Sequence, residues 1–242
     1  MFEIIMNRKK LLAILEAATP VLDEAPLKFS MDGLHIDVAD PSNAMMVSVF
    51  VPRDLFSSYQ IDSEQIVCLD LKKFFDYSSS IESEDVKMTI ADSKFHVKVG
   101  AQNFGLGIID PRAIRKTPTM PNLSPTFETT MDGASFIKLC LVAKKVDDQV
   151  RFMSDETKGL TMSCANPVDT FDGSMEDLNL NISKTGIADS SFSLRYFVDV
   201  GKTISSSKLI TLTLGKDYPC AVKLDFEGVS IVYLLAPRIE QA

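Results

Sequence analysis

The side chains most often used for acid–base catalysis are sparse in this sequence. The two histidines, His35 and His96, both fall in strand-like alternation, where a half-buried structural histidine is the usual case. The sequence has no phosphate-binding G-x-x-x-x-G-K-[ST] motif, no dinucleotide glycine fingerprint and no G-x-S-x-G elbow. The residue types therefore predict no catalytic residue and argue against an enzyme.

Two groups of residues have metal-ligand chemistry, but neither has the spacing of a metal site. An acidic run lacks the ordered ligand positions of a calcium loop, so a solvated loop is the better interpretation of Asp169, Asp172, Glu176 and Asp177. No C-x-x-C pair occurs, which argues against a zinc site or a redox dithiol. We expect small buried core residues at Cys68, Cys140, Cys164 and Cys220. The sequence predicts no metal and no cofactor.

Cationic side chains are the remaining group with a clear chemistry, the binding of phosphate. A net charge of -8 argues against a protein that coats nucleic acid with its whole surface, because nonspecific affinity comes from cations that neutralise phosphates. Nucleic-acid binding is still possible if the cations are separated from the carboxylates on the protein surface. Lys138 and Lys145 lie on one line of a predicted helix, opposite its apolar stripe, and Arg195 and Lys202 share the flank of another. Carboxylates gather elsewhere, in residues 62–64, 82–85, 147–148 and 169–177.

Exposed helical lysines are often simply solvated, which is the alternative to a phosphate-binding surface. Phosphate binding is favoured here because the charge recurs on equivalent helices of both halves of the chain, while the acidic clusters fall mostly in loops. No aromatic or Arg/Asn constellation suggests contact with base edges. The predicted contact is therefore independent of DNA sequence.

The chain carries an internal repeat, which indicates the elements that position these cations. Phe2–Met6 recurs as Phe127–Met131, and Leu71–Asp76 recurs as Leu194–Asp199, at an offset of about 125 residues. Further pairs keep the same order: Leu27–Phe29 with Val150–Phe152, Gly33-Leu34 with Gly159-Leu160, and Ala39–Pro41 with Ala165–Pro167. Chance similarity of apolar patterns is the alternative. Each half reads as antiparallel strands with two helices, which predicts an α+β fold.

Apolar stripes indicate which face of each predicted helix is buried. The first helix runs from about Arg8 to Ala18 with Asn7 as N-cap, and Lys9 points away from its core stripe. The stripes of the first helix and its copy are Leu11, Leu15 and Ala18, then Phe136, Cys140 and Ala143. Those of the second helix and its copy are Leu71, Phe74, Phe75 and Ser78, then Leu194, Phe197, Val198 and Gly201.

A proline-containing connector separates the two halves. Pro118, Pro121 and Pro125 favour an extended segment, because proline lacks the N–H that a central strand or a helix interior needs. The segment is either a passive linker or a docking strip, and the apolar Met120 and Leu123 favour docking. We expect domains at 1–116 and 127–242, joined by residues 117–126.

These features together resemble the archaeal and eukaryotic proliferating cell nuclear antigen family, the sliding clamps of DNA polymerases, over essentially the whole chain. The most specific match is Tyr233–Glu240, supported by Leu194–Tyr196, the turn Ala39–Asn43 and the two-repeat plan with its connector. The resemblance implies the DNA-clamp fold, with antiparallel sheets outside and two helices inside each domain. It also implies a ring of three copies around duplex DNA. The residues expected to face DNA are Lys9, Lys10, Lys72, Lys73, Lys138, Lys145, Arg195 and Lys202.

The resemblance further implies a pocket for partner peptides between the two domains. The matching positions are Ala44, Met46, Met120, Pro121, Leu123, Ala236, Pro237 and Ile239. Ala44 and Met46 are equally consistent with strand core. The expected partners are DNA polymerase, clamp loader, flap nuclease and ligase. Subunit contacts are expected at sheet edges, near Phe104–Ile109 and near Ser174–Leu180.

Three hypotheses remain open from the sequence: a homotrimeric replication clamp, one subunit of a heterotrimeric or checkpoint-type clamp, and an unrelated hydrolase or metal-dependent enzyme. The sequence shows no N-terminal signal, no apolar run of the roughly 20 residues that cross a bilayer, and no lipidation motif. We therefore expect an intracellular protein without a membrane partner, cytoplasmic if archaeal and nuclear if eukaryotic.

Overall fold

The computed structural model describes residues 1–154, 159–175, 178 and 180–238 of the chain. The chain forms two compact units. The first comprises Met1–Asp40, Val47–Thr119 and Glu227–Ile231. The second comprises Pro41–Met46, Met120–Phe226 and the residues from Val232 onward.

The first unit combines antiparallel strands with two helices. In chain order its elements are β1 (Phe2–Asn7), α1 (Arg8–Ala18), β2 (Glu24–Ser30), β3 (Gly33–Ala39), β4 (Met45–Pro52), β5 (Ser58–Ile61), β6 (Gln65–Asp70), α2 (Leu71–Ser79), β7 (Asp85–Ala91), β8 (Lys94–Val99) and β9 (Gln102–Gly107). One set of adjacent strands has the order β5-β1-β7-β8-β9 and the other has the order β6-β2-β3-β4. Residues Met45 and Met46 of β4 belong to the second unit.

Side chains at the helix ends explain where α1 and α2 begin. The Asn7 side chain accepts hydrogen bonds from the backbone N–H groups of Lys9 at 3.0 Å and Lys10 at 3.3 Å, so the predicted N-cap is confirmed. Asp70 caps α2 in the same way, accepting from Lys73 N at 2.8 Å. The Arg8 guanidinium donates to the carbonyls of Ser78 and Ser79 and so satisfies the C-terminal end of α2.

The second unit repeats this arrangement. Its elements are β10 (Phe127–Met131), α3 (Gly133–Ala143), β11 (Gln149–Ser154), β12 (Thr161–Ala165), β13 (Thr170–Ser174), β14 (Asn181–Lys184), β15 (Ala188–Ser193), α4 (Leu194–Asp199), α5 (Gly201–Ser206), β16 (Ile210–Leu214) and β17 (Cys220–Phe226). The last strand, β18 (Val229–Leu235), has its first residues in the first unit and its last residues in the second.

Strand order confirms the internal repeat at the level of topology. The order β14-β10-β16-β17 matches β5-β1-β7-β8, and β15-β11-β12-β13 matches β6-β2-β3-β4. Equivalent ladders of the two units are antiparallel, as for β1 with β7 in the first unit and β10 with β16 in the second. The predicted α+β fold of antiparallel sheets with helices is therefore confirmed.

One predicted helix is interrupted. The pattern from Leu194 to Lys202 predicts a single helix, and this is wrong because Val200 has φ -99° and ψ 8°, outside the helical range. The chain forms α4 before this residue and α5 after it. Leu194, Phe197 and Gly201 are buried as predicted, whereas Val198 is half-buried. Phe75, predicted to face inward on α2, is also half-buried.

The predicted edge strands differ in accuracy. The run near Phe104–Ile109 corresponds to β9, which lies at the edge of its sheet although it contains two glycines. Of the described residues in the strand predicted near Ser174–Leu180, only Ser174 lies in a strand, because β13 ends there and β14 begins at Asn181. Glu176, Asp177 and Asn179 lie outside the described residues. β13 is one of the two terminal strands of the sheet β15-β11-β12-β13.

We expect Gly133→Ala to destabilise the second unit by about 2 kcal/mol, because overpacking typically costs about 1–3 kcal/mol. A Cβ at Gly133 would overlap the carbonyl oxygen of Ile204 and lie 2.8 Å from that of Ser207. The first turn of α3 would have to move away from α5. Thermal unfolding measures the effect. Lys138→Ala on the exposed face of the same helix is the control, and an equal shift in both variants would contradict this packing.

Candidate functional site

The predicted cations of the first unit lie on α1 and α2 but differ in their surroundings. Lys9, Lys72 and Lys73 are exposed. Lys73 Nζ lies 2.9 Å from Asp70 Oδ2, and this hydrogen bond raises the pKa of the lysine. Lys10 is turned toward the loop before β18, with Nζ 3.7 Å from Glu227 Oε2 and its side chain 22% exposed. Lys9 and Lys72 are therefore the more accessible pair for phosphate.

The predicted cations of the second unit are all exposed. Lys138 and Lys145 lie two helical turns apart at α3 and its C-terminal end. Arg195 Nε is 3.4 Å from Asp199 Oδ2 one turn later on α4, and Lys202 is exposed on α5. Such weak surface pairs exchange readily with a phosphate oxygen. Each unit thus has several cationic side chains exposed on its helices, where they can contact a polyanion.

Sequence reasoning missed Lys144 and Asp148 at this surface. The Lys144 ammonium forms an ion pair with the Asp148 carboxylate, which lies just before β11. The sequence placed Asp148 in a carboxylate cluster apart from the cations, and this is wrong because Asp148 contacts both Lys144 and the backbone N–H of Arg195. The pair depends on a one-turn spacing that is frequent on helix surfaces, so it carries no distinctive signal in the sequence.

The chain after β18 forms the first part of the predicted peptide pocket. Ala236 N–H donates to Ala44 O at 2.8 Å, and Arg238 N–H donates to Ser191 O at 2.7 Å. These backbone bonds hold the tail in an extended conformation within the second unit. Ala236 is exposed and Pro237 is half-buried. Extended backbone of this kind can pair with a second extended chain.

The connector supplies the second part. Met120 and Leu123 are half-buried, and Pro121 is exposed. Ser124 N–H donates to the Tyr218 hydroxyl at 2.8 Å, which fixes the connector against the segment between β16 and β17. All the described pocket positions belong to the second unit. Two partly accessible apolar side chains held on an anchored extended segment can receive apolar groups of a ligand.

The remaining predicted positions are less uniform. Met46 is 8% exposed and belongs to β4, which agrees with the strand-core alternative, whereas Ala44 is half-buried before that strand. Ile239 lies outside the described residues. Tyr196 was missed as a neighbour of this turn, although its motif stood out in the sequence. Its hydroxyl lies 3.3 Å from that of Ser42.

The histidines and cysteines considered for catalysis and metal binding are packed within the fold. His35 and His96 are half-buried as predicted, and the His35 ring packs against Phe50 with centroids 4.5 Å apart and an interplanar angle of 31°. The four cysteines are buried and unpaired, and burial raises the pKa of the Cys140 and Cys220 thiols. Within residues 1–154, 159–175, 178 and 180–238, no three His, Cys, Asp or Glu side chains are grouped to hold a metal ion. Membrane-spanning helices are a separate question. In the part of the chain that the structure describes, no helix is long and apolar enough to cross a membrane.

The chain is similar over its full length to known proteins, although no family model matches it. It is 37% identical to the DNA polymerase sliding clamp of Archaeoglobus fulgidus, with 99% of each chain covered. It is 31% identical to the DNA polymerase sliding clamp of Methanothrix thermoacetophila, with 100% of each chain covered. A solved structure of the C-terminal region of FEN-1 bound to A. fulgidus PCNA matches with 34% identity, a TM-score of 0.89 and 100% of each chain covered.

Full-length similarity of this kind agrees with the duplicated fold, the cations on the helices and the anchored extended tail. The chain belongs to the family of DNA polymerase sliding clamps.

Proposed function

We propose that this sliding clamp closes as a ring of three copies around duplex DNA and holds replication and repair enzymes there through short peptide motifs. As a DNA polymerase sliding clamp the protein is a processivity factor and not an enzyme. The observation that carries the proposal is the placement of exposed cations on helices of both repeated units, in a chain whose net charge is -8. Membership of the sliding-clamp family argues against the hypothesis of a hydrolase or metal-dependent enzyme.

The DNA contacts are made to phosphates and are weak one by one. Exposed lysine and arginine side chains gain affinity by releasing counterions from the duplex, and they do so equally at every base pair. Such contacts permit sliding, while closure of the ring prevents dissociation. The proposed DNA-facing residues are Lys9, Lys10, Lys72, Lys73, Lys138, Lys145, Arg195 and Lys202. Lys10 makes the smallest contribution because its ammonium faces Glu227.

Two sheet edges are proposed to join the copies. β9 ends the sheet β5-β1-β7-β8-β9 in the first unit, and β13 ends the sheet β15-β11-β12-β13 in the second. An unpaired edge strand exposes backbone N–H and C=O groups that pair readily with another strand. Pairing β9 of one copy with β13 of the next satisfies both edges and leads to a closed cyclic assembly.

The partner-peptide site is proposed to lie in the second unit. Apolar anchors of a peptide would bury against the connector while its extended backbone pairs with the tail. The binding of the C-terminal region of FEN-1 by the A. fulgidus relative supports this assignment. The proposed positions are Ala44, Met46, Met120, Pro121, Leu123, Ala236, Pro237 and Ile239. The proposed partners are DNA polymerase, clamp loader, flap nuclease and ligase.

The place of action follows from the family. A DNA polymerase sliding clamp acts inside the cell, where the genome is copied. We propose the cytoplasm as the compartment, since the similar clamps are from archaea. Functionally, we propose a division into residues 1–116, the connector 117–126 and residues 127–242.

We expect light scattering on a sizing column to give a mass of three chains of 26.7 kDa, about 80 kDa. Gly107→Glu should shift the protein toward monomer. This position on β9 is exposed, and an added Cβ would have no atom within 4 Å apart from the adjacent residues, so we expect the carboxylate to disturb the joint and not the fold.

Ala101→Glu in the turn before β9 is the matched control and should leave the mass unchanged. A wild-type protein that stays monomeric at every concentration and salt would contradict the homotrimer and favour a ring that needs related chains. A trimer unaffected by Gly107→Glu would remove β9 from the joint.

A further inference from the structure

One carboxylate of the second unit accepts hydrogen bonds from three separate parts of the chain. Asp148 receives the ammonium of Lys144 at the end of α3 and the hydroxyl of Ser193. Its Oδ1 accepts from Arg195 N–H in the first turn of α4 at 3.0 Å, and its Oδ2 accepts from Arg238 Nη2 in the tail at 3.0 Å. Asp148 therefore contacts both proposed functional surfaces of this unit.

The first repeat holds the corresponding helix in a different way. The two repeats share one bond, since Leu71 N–H donates to Asp23 O and Leu194 N–H donates to Asp148 O, each at 2.7 Å. In the first repeat, however, the side chain that caps the helix is Asp70, the residue directly before α2. The residue directly before α4 is Ser193, and its side chain makes no capping bond to the helix.

Asp148 has taken over the capping role in the second repeat. A carboxylate at the first turn of a helix is stabilising because it accepts from backbone N–H groups that have no partner within the helix. Burial alone would raise the pKa of Asp148, but the hydrogen bonds from Lys144, Ser193 and Arg195 N–H outweigh it and hold the pKa below its ordinary value. The Asp148 carboxylate is thus ionised at neutral pH and can accept all of these hydrogen bonds.

The tail is attached to the same carboxylate by its arginine. Arg238 is fixed twice, by its backbone N–H on Ser191 O and by its guanidinium on Asp148, with Gln149 Oε1 at 3.4 Å. Arg238 directly follows Ala236 and Pro237 of the proposed peptide site. Any movement of this part of the tail changes the charge balance around the cap of α4, the helix that carries Arg195.

We propose that Asp148 is a positioning residue that couples partner-peptide binding on the tail to the first turn of α4, so that a bound peptide stabilises the helix end that presents Arg195 to DNA. The proposal rests on the proposed peptide and DNA surfaces. Because a peptide that pairs with the extended tail favours the conformation in which Arg238 contacts Asp148, the coupling is positive. By linkage, DNA contact at α4 strengthens peptide binding by the same factor.

The test compares the wild-type trimer with Asp148→Asn, Arg238→Met and the double variant. Titration calorimetry with a peptide from the C-terminal region of a flap nuclease measures affinity, and hydrogen exchange measures protection of the Arg195 amide with and without peptide. We expect each single variant to weaken peptide binding about fivefold to tenfold, at the lower end of the range typical of coupling between sites. The double variant should be no weaker than the worse single one. Peptide should protect the Arg195 amide in the wild type and in neither variant.

Asp23→Asn is the matched control, because Asp23 occupies the equivalent position of the first repeat and should leave both readouts unchanged. A purely structural role for Asp148 would expose the Arg195 amide without altering peptide affinity, and that result would overturn the coupling. So would additive effects of the two single substitutions. A wrongly placed peptide site gives a different result. In that case replacing Met120 and Leu123 leaves peptide affinity unchanged, whatever the Asp148 variants show.

Discussion

Replacing Met120 and Leu123 together by aspartate should abolish partner-peptide binding, with a loss of affinity of about 100-fold or more. Both side chains are half-buried in the connector, and in the proposed complex they would contact the apolar anchors of the peptide. Truncating such central contacts often costs about 2 kcal/mol or more each. Aspartate adds the cost of placing a carboxylate against an apolar group. Fluorescence anisotropy with a labelled flap-nuclease peptide measures the change.

The chain offers a matched control between these two positions. Asn122→Asp adds one carboxylate to the same segment at an exposed position, so it should leave peptide affinity within about twofold if the apolar contacts dominate. The trimer mass should stay unchanged in both variants. Equal loss in the control would mean that charge alone is responsible, and unaltered affinity in the double variant would remove the connector from the pocket.

Reversing the charge of Lys73, Lys138 and Lys145 to glutamate should impair loading and sliding on DNA without unfolding the chain. All three side chains are exposed on or at the ends of helices, so the fold does not depend on burying them. Each phosphate contact that is lost should reduce the slope of log affinity against log salt by about 0.9. Polymerase stimulation on a primed template, measured across salt concentration, should fall by about tenfold or more.

Two comparisons make this result specific. Lys73→Glu also places a like charge beside Asp70, the cap of α2, so the variant with only Lys138 and Lys145 replaced separates DNA contact from helix stability. Lys98→Glu with Lys223→Glu introduces the same charge change on exposed strand positions and should have little effect. Unchanged polymerase stimulation in the helix variants would rule out the proposed DNA-facing surface.

Much of the fold was predictable because it depends on local periodicity. The burial of Leu11 and Leu15 in α1, the cap at Asn7 and the antiparallel strands all follow from patterns within a few residues. Where a local pattern was weak, prediction failed. The sequence predicts an edge strand near residues 174–180, whereas β13 ends at Ser174, and it predicts no break at Val200 in the helix after Leu194.

The order of residues along the chain is enough to predict a duplicated fold, with cations on helical faces, no catalytic motif and a proline-containing connector. Repetition and side-chain periodicity depend on the order of residues along the chain, so they can be recognised in the sequence alone. Three contacts could be found only in the folded chain: Ala236 pairs with Ala44, Tyr218 anchors the connector, and Asp148 joins α3, α4 and the tail. These contacts join residues far apart in the chain, and their partners are selected by packing, which leaves no spacing pattern in the sequence.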